Sequence, residues 1–374
     1  MPIESHILGT SSARPTSSRA VSGSVVVTDE GNFVVDAGEG FQTRFQHQRK
    51  HLKHIDPKSS IRPSKIKAIF LTHGHLDHTW GVLPWLQSLS LDGRTQPLAV
   101  IGPTSPKVIE ALLESTALPA DVPSVDLVHQ CRYWMSMVNG DHALSYDVSY
   151  VLGDPDTQQW VQLSREGSAK ILSTSLSEFL GLQDVEVEAF GTIHSVPSCA
   201  WSFLQKERLG SFDRKRAAAL RLSDAQRTDL ASGMDVEHEG TLLTASSFRG
   251  PSRPALRLVI SGDTAEMSPS LCSLQSCNAL IHEATFVDEQ QEQANAFLHS
   301  TARGAMRTAK QMNAQHLCLT HYSNRLSDTD LSMNQAQSEH PDIVVTAAND
   351  FDRILVEDSG HVVHKCWDGK AWSQ

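Results

Sequence analysis

The sequence predicts a layered α/β fold, and three features support that prediction. Short runs of β-branched and other apolar residues alternate with helical patterns along most of the chain. Hydrophobic residues make up 40% of the 374 residues and charged residues 20%, a composition that can bury a large core. Histidine and aspartate residues follow several of the predicted strands. We therefore expect a single α/β domain over residues 1–374.

The first predicted elements are a β-hairpin, a helix and a buried strand. The apolar runs at 24–27 and 33–35 flank an Asp-Glu-Gly-Asn sequence, which favours a tight turn between two strands. Residues 41–52 have the pattern of a helix, and residues 66–71 that of a short buried strand. Later strands are predicted at 97–101, 185–190, 256–260, 279–281, 316–319 and 342–345. Helices are predicted at 105–115, 302–312 and 329–337.

Residues 206–253 differ from the rest of the chain. They are rich in charge and poor in periodic apolar residues. A segment of this kind between regular elements is typical of an insertion. We expect it to form an inserted arm or an irregular region on the core.

The charge and the cysteines exclude several classes of protein. The formal net charge of −11 argues against an indiscriminate binder of polyanions. No apolar run approaches the roughly 18 residues of a membrane span, and the first residues lack the features of a signal peptide. The six cysteines are scattered without a CxxC pair, which argues against a zinc knuckle or a disulfide framework. These features predict a cytoplasmic enzyme without a membrane partner.

The strongest motif is an HxHxDH cluster directly after the predicted strand at 66–71. It comprises His73, His75, Asp77 and His78. Imidazole nitrogens and carboxylates are ligands of zinc and similar divalent ions, and four of them on one turn can face a single cavity. The cluster therefore predicts a metal site at a junction between a strand and a helix.

Further candidate residues follow five later strands or lie in the loops between them. They are His194, Asp263, His282 with Glu283, His299 and His321. Each of them alone would be an ordinary core or surface residue. Because an open α/β sheet presents its functional loops at the ends of its strands, together they predict one rim.

These motifs, in this order, resemble the metallo-β-lactamase superfamily and, within it, the RNase Z family of tRNA 3′-processing endoribonucleases. HxHxDH alone indicates only the superfamily. The motifs that are more specific are HEATF at 282–286, HST at 299–301 and LTHYS at 319–323, with DAGEG at 36–40 and SGDT at 261–264. The resemblance implies a four-layer αβ/βα sandwich of two mixed sheets with outer helices. It also implies a homodimer that acts on precursor tRNA.

The resemblance further implies two Zn²⁺ ions per subunit, with Mn²⁺ as a possible substitute. One ion would be held by His73, His75 and His194, and the other by Asp77, His78 and His321. Asp263 would bridge the two ions.

The remaining roles also come from the resemblance. Asp77 would orient the attacking water or accept its proton. His299 would stabilise charge in the transition state or protonate the leaving 3′-oxygen. His282 or Glu283 would orient neighbouring groups, and Arg19 would contact the RNA.

The sequence departs from the family pattern at three places. In the loop at 13–20 only Pro15 and Arg19 persist, and Leu76 stands where most members have glycine. The region at 220–230 lacks the Gly-Pro motif of the family's tRNA-binding arm. Residues 44–67 nevertheless carry eight basic residues against one acidic residue, which is compatible with a surface that follows phosphates.

Three functions therefore stay open. The first is a zinc-dependent endoribonuclease that removes the 3′ trailer of precursor tRNA and leaves a 3′-hydroxyl. The second is a phosphodiesterase or other hydrolase of a small substrate such as a cyclic nucleotide. The third is an inactive interaction module, which the complete set of candidate ligands argues against.

Overall fold

The computed structural model describes residues 2–138 and 143–374. Its strands are β1 (Ile3–Gly9), β2 (Gly23–Thr28), β3 (Gly31–Ala37), β4 (Ile66–Phe70), β5 (Leu98–Pro103), β6 (Val148–Asp154), β7 (Gln159–Leu163), β8 (Ala169–Ile171), β9 (Val185–Gly191), β10 (Cys199–Gln205), β11 (Val236–His238), β12 (Thr241–Leu243), β13 (Leu256–Ile260), β14 (Cys277–Glu283), β15 (Ala314–Thr320), β16 (Val344–Ala347), β17 (Arg353–Val356), β18 (Val362–Trp367) and β19 (Trp372–Ser373). Its helices are α1 (Phe41–Ile55), α2 (Leu76–Thr79), α3 (Val82–Leu91), α4 (Pro106–Glu114), α5 (Leu127–Met137), α6 (Leu176–Phe179), α7 (Arg214–Ala219), α8 (Asp224–Ser232), α9 (Pro269–Cys272), α10 (Gln291–Phe297), α11 (Ala302–Gln311) and α12 (Thr329–Glu339).

Two mixed sheets organise the chain. Among the described residues, the first sheet has eleven strands in the order β19-β18-β17-β1-β2-β3-β4-β5-β6-β7-β8, and β3 to β6 run parallel within it. The second has six strands in the order β16-β15-β14-β13-β10-β9, and β13 to β16 run parallel. The helices α1, α3, α4 and α11 connect or follow parallel strands, as crossover connections require.

Three apolar clusters separate four layers. Phe33 and Phe70 of the first sheet pack with Trp201 and Leu258 of the second, which places one cluster between the sheets. A second cluster joins the outer face of the first sheet to α1, α3, α4 and α5. A third joins the outer face of the second sheet to α11, whose buried stripe includes Met306. The predicted αβ/βα sandwich of two mixed sheets with outer helices is confirmed.

The segment at 206–253 is folded rather than irregular. It contains α7, α8, the β11–β12 hairpin and the 3-10 helix Ala245–Phe248. A small core of its own holds these pieces together, formed by Ala217, Leu222, Leu230, Ala245 and Phe248. Ser223 begins α8 with a reciprocal capping box to Gln226. Its function as an arm stays a prediction.

The carboxyl ends of the parallel strands of both sheets meet at one edge of the sandwich. The HxHxDH turn follows β4, Asp263 follows β13, and His321 follows β15. The loop between β9 and β10 brings in His194, and the turn before α11 brings in His299. In the described part of the chain, no helix combines the length and apolarity needed to cross a membrane.

Candidate metal centre

The HxHxDH turn is held in place by backbone contacts on both sides. The carbonyl of Thr72 accepts a hydrogen bond from the backbone N–H of Cys199, which ties the turn to β10 (2.9 Å). The Gln130 amide donates to the carbonyl of Gly74 at 2.6 Å. A Cβ atom at Gly74 would lie 1.9 Å from the carbonyl oxygen of Val125, so only glycine fits there. The turn therefore presents its side chains from a fixed backbone.

The first set of candidate ligands converges from both sheets. His73 Nε2 lies 3.0 Å from His75 Nδ1 and 3.6 Å from Asp263 Oδ2. His194 Nε2 lies 3.2 Å from His75 Nδ1 and 3.9 Å from Asp263 Oδ2. Four ligand atoms thus surround one point.

The second set shares the same aspartate. His78 Nε2 and His321 Nε2 are 3.2 Å apart, and each lies 3.3 Å from Asp263 Oδ1. Asp77 Oδ2 lies 3.7 Å from His78 Nε2 and 3.5 Å from His321 Nε2. The two oxygens of Asp263 therefore face different sets.

The spacing of these atoms fits two divalent cations. Zinc bonds nitrogen and oxygen at about 2.0–2.1 Å, so neighbouring ligand atoms of a tetrahedral site lie about 3.3 Å apart. The distances quoted above, 3.0 to 3.9 Å in the first set and 3.2 to 3.7 Å in the second, bracket that value. Asp263 Oδ1 is buried and has no hydrogen-bond partner in the described residues, as expected for an oxygen reserved for a cation.

The imidazoles are oriented by hydrogen bonds on their other nitrogens. The Nδ1 partners are Thr72 Oγ1 for His73 (3.1 Å), Asp36 Oδ2 for His78 (2.7 Å), the Leu298 carbonyl for His194 (3.1 Å) and Thr285 Oγ1 for His321 (3.0 Å). Such partners fix the ring orientation and leave the opposite nitrogen free to bind a metal. The site is therefore preorganised for metal binding.

Comparison with known proteins supports this assignment. The metallo-beta-lactamase superfamily matches residues 18–96. "Ribonuclease Z" of Myxococcus xanthus is 30% identical over 362 residues, covering 94% of this chain and 96% of that protein. The chain belongs to the ribonuclease Z family. "Ribonuclease Z" of Methanococcus maripaludis is 29% identical and covers 92% of this chain and 95% of its own.

Solved structures show the same fold. Human tRNase Z, short form, has a TM-score of 0.50 at 22% identity, covering 94% of this chain and 98% of its own. The metallo-beta-lactamase fold protein YhfI from Bacillus subtilis has a TM-score of 0.55 at 16% identity, covering 95% of this chain and all of its own. The predicted family is confirmed, and with it a metal-dependent hydrolase that binds divalent ions.

The electrostatics of this ribonuclease Z centre suit a cation. Burial, reinforced by His194, lowers the pKa of His75 to about 4, and burial holds the pKa of His73 well below its usual value. Burial alone would raise the pKa of Asp263, but His321 and His78 lower it well below the usual value. Neutral His73 and His75 beside an ionised Asp263 are in the protonation state that metal binding requires. Burial alone would lower the pKa of His78, but Asp263, Asp36 and Asp77 raise it well above its usual value, so a cation bound there has to displace a proton.

His299 lies beside the ligands and has a different electrostatic environment. Its Nδ1 donates to Glu283 Oε1 at 2.7 Å, and its Nε2 lies 3.9 Å from Asp263 Oδ2. Burial alone would lower the pKa of His299, but Glu283 and Asp263 raise it to about 9. The two carboxylates therefore favour the protonated form of His299, and its Nε2 faces the centre.

Three other predicted residues have contrasting positions. Glu283 is brought into the site, where it accepts hydrogen bonds from His299, from Thr285 and from the backbone N–H of Thr264. His282 is not brought there, because the side chains of β14 alternate between faces and its Nδ1 contacts only the carbonyl of Glu283. Arg19 donates to the Leu326 carbonyl at 2.9 Å and lies 5.1 Å from the Tyr322 ring centre. RNA contact by Arg19 stays a prediction.

Sequence reasoning missed the residues that support the ligands. Asp36 accepts hydrogen bonds from the backbone N–H and the hydroxyl of Thr72, both at 2.8 Å, besides binding His78. Asp77 Oδ2 accepts the backbone N–H of Ala13 at 2.7 Å, which brings the first loop to the centre. The available signal for Asp36 was its place at the end of β3 within the DAGEG motif.

Proposed function

We propose that this ribonuclease Z family member is a two-zinc endoribonuclease that removes the 3′ trailer from precursor tRNA. The single observation that carries the proposal is the convergence of seven buried or half-buried ligands on two points joined by Asp263. Similarity to ribonuclease Z proteins over nearly the whole chain supports the choice of substrate. We propose further that the enzyme is a cytoplasmic homodimer, in which Mn²⁺ can replace zinc.

The chemistry follows from the arrangement of the residues. A pair of divalent cations in this site supplies, when bound, a water of lowered pKa and positive charge for the phosphate oxygens. Asp77, which is fixed by the Ala13 amide, is placed to orient that water or accept its proton. Attack at phosphorus forms one P–O bond and breaks the bond to the 3′-oxygen of the tRNA.

His299 completes the reaction at the leaving group. Its Nδ1 is bound by Glu283, so its Nε2 proton is the one directed at the centre. We assign to it the transfer of this proton to the departing 3′-oxygen, which leaves a 3′-hydroxyl on the tRNA and a 5′-phosphate on the trailer. The Glu283 contact holds the ring in this orientation.

A small phosphodiester is the second candidate substrate. The observation that favours it is the engagement of Arg19 by the Leu326 carbonyl and the Tyr322 ring, which leaves the guanidinium partly occupied. The absence of a Gly-Pro motif at 220–230 points the same way.

One experiment separates these candidates. Purified protein is incubated with zinc or manganese and, in parallel, with labelled precursor tRNA carrying a 3′ trailer, bis(p-nitrophenyl) phosphate and cyclic AMP. We expect the wild-type protein to cleave the precursor at the trailer junction. His73→Ala should lose both bound metal and cleavage. His54→Ala, at an exposed histidine of α1, is the control and should keep the metal content and cleavage rate of the wild type. Hydrolysis of the small diesters beside an intact precursor would refute the tRNA assignment.

A further inference from the structure

A large cleft lies at the edge of the sandwich opposite the metal centre. It has a volume of about 790 Å³ and is lined by the first residues of β3, β4 and β5, including Asn32, Ile66 and Leu98. The metal centre lies at the other ends of the same strands. Asn32 and Asp36, four residues apart on β3, are separated by about 13 Å. We call this feature the amino-edge cleft, and it shares no residue with the metal centre.

The amino-edge cleft presents unpaired positive charge. Lys58, Lys65 and Lys67 line it, and all three belong to the basic block that the sequence analysis identified. Within residues 2–138 and 143–374, the ammonium groups of Lys58 and Lys65 have no side-chain or carbonyl partner. Lys67 Nζ has only a distant contact with the Leu180 carbonyl, at 3.5 Å. These lysines lie at the far end of the block from the metal centre.

The carboxylates that line the cleft are already engaged. Glu4 is bound to Arg353 at 2.7 Å. Glu30 accepts hydrogen bonds from three consecutive backbone N–H groups at 183–185. Asp29 pairs with an arginine of the neighbouring segment, Arg208. Glu4 and Asp29 are therefore neutralised by arginines, whereas Glu30 keeps its negative charge. Three lysines and Arg94 outnumber that one charge, so the cleft has a net positive charge.

A buried arginine adds to the positive potential. Arg94 is 7% exposed and lines the cleft. Its guanidinium donates to four backbone carbonyls at 2.7 to 2.8 Å, those of Pro63, Ile66, Gln96 and Pro97. No carboxylate of the described chain pairs with it. The carbonyls satisfy its hydrogen bonds, but its full charge stays uncompensated, and a buried charge without a counterion favours an anion nearby.

The rest of the lining suits the body of an organic molecule. Val27, Phe179 and Leu180 provide apolar surface, and Ser59, Ser60 and Ser64 provide hydroxyl groups beside the lysines. The Nδ2 amide of Asn32 is buried and has no acceptor among the described residues, so a donor in this wall is unused. A pocket of this size and mixed lining is typical of small-molecule sites.

We propose that the amino-edge cleft binds a small organic phosphate of about the size of a nucleoside monophosphate. The phosphate lies among Lys58, Lys65 and Lys67, and the organic body lies against the apolar wall. The field of Arg94 favours the bound anion without direct contact. Because the cleft and the metal centre are separate, this site does not depend on the proposed function.

The test measures binding by isothermal titration calorimetry with the full chain, after chelation has removed metal from the other site. The probes are AMP, adenosine and inorganic phosphate. We expect saturable binding of AMP, weaker binding of phosphate and no binding of adenosine. Lys65→Gln combined with Lys67→Gln lowers AMP affinity by about tenfold or more, because two charge-assisted contacts are lost. Lys310→Gln, an exposed lysine of α11, leaves it unchanged.

Three results would overturn the proposal. The first is the absence of saturable AMP binding up to about 10 mM ligand, beyond the dissociation constant of weak specific sites. The second is equal binding of AMP and adenosine. The third is an unchanged AMP affinity in the double variant. A raised KM for precursor tRNA in that variant, with AMP binding intact, would instead identify the lysines as an RNA contact. Circular dichroism of each variant verifies that the fold is retained. Loss of tRNA cleavage by the wild-type enzyme would not affect this test.

Discussion

Four residues around the metal centre have backbone conformations that cost energy. Asp36, His321, Leu298 and Ala13 all have φ between 55° and 62°, a region that non-glycine residues rarely occupy. Each makes a contact that orders the site: Asp36 binds His78, His321 Nδ1 binds Thr285, the Leu298 carbonyl binds His194, and the Ala13 amide binds Asp77. A conformation of this kind costs about 1–3 kcal/mol per residue, and here the surrounding contacts have to offset that cost.

The contact between Asp36 and His78 gives the first prediction. Asp36→Asn removes the carboxylate that orients His78 Nδ1 while it retains the size of the side chain. We expect metal affinity or hydrolysis of bis(p-nitrophenyl) phosphate to fall about 10- to 100-fold. Metal content by mass spectrometry and initial rates provide the measurement. The control is Asp92→Asn, at an exposed residue after α3. Equal metal content and equal initial rates in the two variants would contradict this role of Asp36.

His299 gives the second prediction, because it adjoins the ligands but is not assigned to either set. His299→Ala should retain metal and lose about 10²- to 10⁴-fold in cleavage rate, the typical value of a general acid. His73→Ala should lose metal and activity together. Glu283→Gln should also retain metal and should lose less of the cleavage rate than His299→Ala, since Glu283 orients that ring. Parallel loss of metal in His73→Ala and His299→Ala would contradict the roles assigned here.

The residues of the site could be predicted to different degrees. The HxHxDH ligands are contiguous, and the later ones follow predicted strands, so sequence patterns sufficed to find them. Asp36 and Thr285 act only through contacts between distant segments and carry no periodic signal. His282 and Glu283 were alternatives that adjacency in sequence could not separate. Strand alternation directs His282 away from the ligands, and Glu283 is the one that contacts His299.

Among the elements, regular patterning decided what could be predicted. β9 alternates buried Val185 and Val187 with the more exposed Glu186 and Glu188, and its span was predicted within one residue. β10 is buried almost throughout and contains Ser202, so no alternation indicates it. The strands β6 to β8 and β17 to β19 were also missed. Their sequences mix polar and apolar residues, and pairing with distant strands decides their conformation.

The turn before α2 gives the third prediction. Gly74→Ala would place a Cβ atom 1.9 Å from the Val125 carbonyl oxygen, so the ligand turn or the segment before α5 must move. We expect the free energy of unfolding to fall by about 1–3 kcal/mol and metal affinity to fall with it. Urea unfolding and metal content test both effects. Gly250→Ala, where the nearest atom is 3.6 Å away, is the matched control. Tight metal binding in Gly74→Ala would show that the turn is more tolerant than its packing indicates.

At the scale of the whole molecule, the net charge of −11 conceals an uneven distribution. The basic block at 44–67 does not form one surface beside the metal centre. Arg44 is neutralised by Asp350, whereas Lys58, Lys65 and Lys67 line the amino-edge cleft. Total charge therefore describes neither site, and each site has to be judged by the groups that its own residues leave unpaired.

The metal centre also joins the two sheets, and this gives the last prediction. His73, His75 and His78 follow a strand of the first sheet, while Asp263 and His321 follow strands of the second. A cation bound only by the native arrangement stabilises it by about 4 kcal/mol when free metal exceeds its Kd a thousandfold. Chelation should therefore lower the Tm of the wild-type protein by several degrees, and zinc should restore it. The Tm of His73→Ala should change much less on chelation or on addition of zinc, whereas the Tm of His54→Ala should change as much as that of the wild type. A Tm of the wild-type protein that is independent of zinc and chelator would mean that the ions do not contribute to holding the two sheets together.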